Sequence, residues 1–387
     1  MQRFFCFIVF VATCLFYCGI ARSSDIRQAL FGQINDKEIC LDMMKDKNAC
    51  LNIIKDREQW TVKKRTVGKG DFDELALCAE LIGLLRCNDK DCVQVLSEKI
   101  MHRPTFTSDT MRGLRVCFIS AALYRIGEAA IEPVLDECIN KDDSFGSVGM
   151  LFDELLPYPS SKVIIEDYIQ RRDNDLSSEQ RNRLKKLKEG LRLISRTTSR
   201  KNYGEADPMY MPRISVFVLN HPLYKVRQSS IEDSLTKLEK ADWSKPNNET
   251  LKLIDKLGEL RSVEAIDVLT PHLLLKTETE KQQNGFENLP VAVVLTKIGI
   301  PSIWGLLKEI AQSKGDDPAY VETSYKVMST ILPAVAILGF VDEAIEKEKT
   351  SEGKARLEKL YPLLPQKDEI DQRIKDRDEQ DKKNRAK

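Results

Sequence analysis

Histidine is scarce in this chain. Its 387 residues hold only His102, His221 and His272, no two of them close in sequence. None has a glutamate or second histidine at the spacings that zinc sites use, which argues against a histidine-based metal centre. A Cys-x-x-Cys spacing is absent too, excluding the thioredoxin-like redox motif and covalent haem attachment. Glycine-rich phosphate loops are missing, and Gly68–Asp71 (GKGD) lacks the P-loop spacing and suits a turn. Net charge is also lacking. Lys plus Arg and Asp plus Glu stand at 60 each, so no global field draws in nucleic acid or an anionic membrane. Strand-like runs are few, and the best, Ile214–Leu219, is isolated. No nucleophile, base and metal set converges anywhere, so neither an enzyme nor a cofactor is expected.

What is present is helical. Hydrophobic content of 42% with 31% charged residues suits a well-solvated protein. The length implies about two or three domain-sized units or one elongated array. Met1–Arg3 gives a short positive start, and Phe4–Ile20 follows uncharged and strongly apolar. Ala21 and Ser23 supply small residues where a signal peptidase needs them, so residues 1–21 fit a cleaved secretory signal. Cleavage after Ser23 is the second choice. The alternative is an uncleaved membrane anchor, since the run is near the lower limit of about 17 residues for a span. The expected location is therefore periplasmic, cell-surface or extracellular. Beyond the signal, all seven cysteines lie between Cys40 and Cys138. Cys40–Cys50 and Cys87–Cys92 are candidate short-loop disulfides. The first requires a hairpin turning at Lys45–Asn48, because ten residues of continuous helix would separate the sulfurs by about 15 Å. The alternative is that these cysteines are small buried apolar residues.

An internal repeat is the most informative feature. Five segments align: Ile82–Leu96, Tyr124–Leu135, Leu257–Leu269, Thr296–Leu307 and Ile337–Glu348. Each has an apolar helical stretch, a turn, a small residue, a β-branched residue and a second helix. The small column holds Cys92, Ala130, Ala265, Ser302 and Ala344. The next holds Val93, Ile131, Ile266, Ile303 and Ile345. Spacings in the small column are 38, 135, 37 and 42, close to the period of two-helix stacking units. Small residues let helices approach at the turn, and the branched residue plugs the seam between neighbouring pairs.

These motifs, as in Leu257–Leu269, Gly127–Leu135 and Gly299–Leu307, resemble HEAT repeats, particularly the short bacterial type of phycobilisome lyases. The resemblance implies an all-α solenoid of helical hairpins and says little about function. It does not extend to the His-Glu pairs of iron-binding HEAT-like enzymes, since no His-Glu dipeptide occurs. The expected organisation is a helical hairpin region at 22–70, repeats at 71–170, a basic helix and irregular insertion at 171–247, repeats at 248–365 and a charged tail at 366–387.

Two surfaces are candidates for binding. The basic run holds Arg181, Arg183, Lys185, Lys186, Lys188, Arg192, Arg196, Arg200 and Lys201 against Glu189 alone. It could meet an anionic partner or surface, or be balanced by acidic neighbours in space. Nucleic acid is not expected, because no aromatics interleave it. The column after the plug holds Gln94, Glu132, Asp267, Trp304 and Glu346. Four of its members are polar, so it should face solvent. The HEAT resemblance places it on the ligand-bearing side, making Glu132, Asp267 and Trp304 candidates for a protein partner. The alternative for Trp304 is a core position. The functions these features leave open are an interaction scaffold, a lyase-like or cofactor-handling HEAT protein, and a membrane-tethered spacer.

Overall fold

The computed structural model describes residues 51–52, 66–67, 70–71, 74–100, 118–140, 145–172, 174–197, 222–276 and 288–365. The signal, the Cys40–Cys50 pair, Ile214–Leu219 and the charged tail lie outside them. The described part is all-α. Its only β structure is a ladder pairing Thr66 with Asp71 and Val67 with Gly70; residues 68 and 69, in the turn expected at Gly68–Asp71, lie outside the described residues. Among the described residues, no helix is long and apolar enough to cross a membrane.

The first half contains α1 (Glu74–Leu84), α2 (Lys90–Glu98), α3 (Phe118–Ile126), α4 (Ile131–Asn140), α5 (Phe145–Leu155), α6 (Tyr158–Arg171) and α7 (Ser178–Thr197). Helices α1, α3 and α5 pack side by side, and α2 packs on α4. The second half contains α8 (Pro222–Leu238), α9 (Asn248–Glu259), α10 (Ile266–Leu269), α11 (Pro290–Ile298), α12 (Ile300–Gln312), α13 (Pro318–Ile331), α14 (Ala334–Lys347) and α15 (Ser351–Glu358). Here α9, α11 and α13 form one layer, while α12 packs against α10, α14 and α15. Local chemistry starts many of these helices. The side chains of Asp89, Asn247, Asp317 and Thr350 each accept a hydrogen bond from the first turn. Ser177 and Gln180 form the reciprocal capping box that their spacing predicts, at 3.2 and 2.9 Å.

Four of the five aligned segments are helix–turn–helix units. Cys92, Ala130, Ala265 and Ser302 are fully buried, and Val93, Ile131, Ile266 and Ile303 are buried beside them. The fifth segment is not such a unit. Ile337–Glu348 lies almost wholly within the single helix α14, so Ala344 and Ile345 sit near its end and are only half-buried. Sequence similarity there reflects an apolar helix ending in Ala-Ile, with no turn to give the pair its role.

The basic segment is helical where it is described, as its apolar stripe predicts. Helix α7 is a regular twenty-residue helix whose Leu184, Leu187 and Leu191 are buried against α4, α5 and α6. Residues 198–221 lie outside the description.

Two contacts depart from a strictly sequential stack, in which each unit meets only its neighbours. Helix α6 of the first half packs on α14 of the second, where the Ser160 hydroxyl donates to the Ala336 carbonyl at 2.5 Å. The α3–α4 turn also meets the turns of the second half, through Glu128. The halves therefore close against each other, and polar groups from both are buried where they meet.

Candidate functional site

The hairpin turns determine what gathers at this junction. In each of the four units one turn residue has a positive φ: Arg86 at 52°, Gly127 at 91°, Arg261 at 47° and Gly299 at 88°. Two positions are glycine, for which this region is free of steric cost. The other two are arginine, for which a left-handed backbone costs about 1–2 kcal/mol. Retaining arginine where glycine would fit points to a role for the side chain.

Both turn arginines extend to the junction, and Arg227 of α8 joins them. Arg261 and Arg227 are each only 5% exposed. The Arg261 Nε donates to the Lys297 carbonyl at 2.8 Å and its Nη2 to Glu128 Oε1 at 2.8 Å. Glu128 belongs to the turn of the α3–α4 unit, and its other oxygen accepts from the Ile300 N–H at 3.1 Å. One carboxylate thus ties three turns together and sits at the N-terminus of α12, where the helix dipole favours negative charge. Arg227 donates from Nη2 to the Leu260 carbonyl at 2.7 Å and from Nη1 to Gln228 at 3.1 Å. Two donors remain. Arg227 Nε and Arg261 Nη1 are buried without an acceptor. Each such buried, unpaired donor costs about 1–3 kcal/mol.

The charges act on one another. Burial first, and then the neighbouring guanidiniums of Arg261 and Arg227, lower the Arg86 pKa to about 10. Burial lowers Arg227 and Arg261 as well, opposed chiefly by Glu264 and Glu128 respectively. Sequence reasoning missed this cluster. Its members lie in separate segments, and only the arginines in otherwise glycine-like turn positions hinted at it.

No family profile, curated protein or solved structure matches this chain. The reading of function therefore rests on the chain's own geometry.

The residues singled out from sequence are scattered. Glu132 and Asp267 are exposed on α4 and α10, and Gln94 is exposed on α2. Glu132 pairs with Arg171 at 2.6 Å and Asp267 with Lys308 at 3.0 Å. Trp304 is half-buried. Its ring meets Phe340 of α14 with centroids 5.0 Å apart, and Lys347 Nζ lies 5.1 Å from its centroid. Trp304 differs from Asp267 because α14 packs over its face of α12. Trp304→Ala should lower stability by about 2–3 kcal/mol, somewhat less than full aromatic burial would cost. Denaturant unfolding checks this; an unchanged midpoint would restore the exposed-anchor reading.

The basic run does not form one free cationic face. Of its side chains from Arg181 to Lys188, only Lys186 is exposed. Arg183 donates to the Ile139 carbonyl and to Glu179, while Lys188 pairs with Glu166 in a half-sheltered contact. Arg181 and Lys185 also have partners. Arg192 lies on α7, but its side chain is outside the description.

Cys87 and Cys92 are adjacent but not bonded. Neither forms a disulfide, and with Asp89 they place three ligand-type atoms within 4.8 Å of one another. The Asp89 carboxylate already caps α2 by accepting from the Cys92 N–H at 3.2 Å. The Cys92 thiol is buried and its pKa is raised, first by its hydrogen bond to Cys87. The buried-residue alternative describes Cys92, and the predicted disulfide is not formed. Of the histidines, His272 stacks face to face on Trp243 at 3.8 Å and serves packing; burial holds its pKa below the usual value.

Proposed function

We propose that this chain is a non-catalytic, exported protein–protein interaction scaffold built on HEAT-like helix pairs. The observation that carries this reading is the polar column. Gln94, Glu132 and Asp267 are exposed on second helices, each one or two positions beyond a buried small–branched pair. The repeat therefore holds these polar side chains on a framework whose turns and seams are fully packed. Such pre-organisation lowers the ordering cost of binding and suits an extended partner. Export rests on the sequence pattern of residues 1–23.

Photo-crosslinking tests the surface. A photoreactive residue at Gln94 or Asp267 should capture the same protein from the native source. The same probe at Glu249, exposed on the first-layer helix α9, should not. Equal capture from Glu249, or none from Gln94 and Asp267, would remove the reading.

A further inference from the structure

We propose that Arg86, Arg227 and Arg261 form a binding site for a dianionic phosphate group. The three side chains come from separate elements: the turn after α1, helix α8 and the turn after α9. The fold therefore brings together cations that local structure would leave apart. Two of them are nineteen-twentieths buried, and each retains one N–H without an acceptor. Arg86 is half-buried and feels the charges of both.

The charge balance calls for an anion. Glu128 is engaged by Arg261 and the Ile300 N–H. Glu264 accepts from the Ser262 hydroxyl at 2.9 Å and is exposed. Two carboxylates thus stand against three guanidiniums, while Arg125 and Glu232, both beside Tyr224, offset each other. Guanidinium donors match phosphate oxygens in planar, charge-assisted pairs, and a dianion can accept from several at once. The adjacent Cys87–Asp89–Cys92 group has metal-ligand chemistry, but the nearby guanidiniums oppose a divalent cation there. Their effect on a phosphate is the reverse. The phosphate could be free in solution or belong to a lipid headgroup, and both present the same oxygens.

Thermal unfolding of the purified chain tests this. Inorganic phosphate should raise the melting temperature saturably, while chloride at matched ionic strength should not. Arg86→Gln should weaken phosphate affinity about tenfold, the loss of one charge-assisted contact. Arg227→Met should remove the saturable rise. If Arg227→Met does not fold, the half-buried Arg86 carries the test, because its change leaves the Glu128 tie intact. A parallel arm uses phosphatidic acid vesicles. Arginine-dependent binding to vesicles, without an effect of free phosphate, assigns the site to a headgroup. A rise equal in chloride, or undiminished in Arg86→Gln, overturns the proposal, provided that vesicle binding is equally insensitive to the arginines.

Discussion

Gly299→Ala should destabilise the protein by about 3 kcal/mol, the upper end of the cost of a non-glycine residue in such a backbone region. Gly299 has φ 88° and ψ −147°, a conformation that L side chains avoid. Space is a second obstacle. A Cβ there would lie 2.1 Å from the Glu128 carboxylate, which cannot withdraw without losing Arg261 and the Ile300 N–H. Strain and lost hydrogen bonds therefore add at one atom. Gly190→Ala is the natural control. Gly190 lies within α7 with nothing within 4 Å of its would-be Cβ. Alanine there should stabilise by about 0.5–1 kcal/mol through helix propensity. Chemical denaturation of both variants checks the contrast. A small loss at Gly299 would mean that the turns are not tied as described.

The second large effect is expected from Glu128→Ala, at about 2–3 kcal/mol. Breaking a fully buried ion pair costs about 3–5 kcal/mol, and the figure is reduced because Glu128 is partly exposed. The side chains are 6% exposed for Arg261 and 22% for Glu128. Removal of the carboxylate leaves a buried guanidinium with only the Lys297 carbonyl as acceptor. It also leaves the first N–H of α12 unpaired. The double variant Glu128→Ala with Arg261→Met should recover about 1 kcal/mol or more, because it removes the stranded charge. If the double variant is no more stable than Glu128→Ala, the loss comes from the turn itself and not from the pair.

Parts of this fold were legible in the sequence for local reasons. The Ser177–Gln180 box, the apolar stripe of α7 and the helix at 222–238 follow from spacing and capping within a few residues. Four repeat units were legible because buried small and branched residues recur at a fixed distance from each turn. The Ile337–Glu348 segment carries the same residue types but no turn, so pattern matching placed a hairpin where one helix runs through. Sequence left the basic run open between a free cationic face and one balanced in space, because it shows the charges without their partners. Glu166, Glu179 and the Ile139 carbonyl reach it from other helices or earlier turns.

Trp304 shows the same limit at a single position. Its counterparts in the other three units, Gln94, Glu132 and Asp267, are exposed. Its environment was set by α14, whose packing on α12 no local pattern announces.

The sequence by itself determined the helices, the four hairpin turns and the residues that seal them, because propensity, capping and periodicity act over one or two turns of chain. Only the tertiary structure decided which charges are buried together. Glu128 and Arg261 are 133 positions apart, and Arg86 and Arg227 are farther still from one another in sequence. Their meeting depends on the two halves closing, and the energy of a buried charge depends on its neighbours in space.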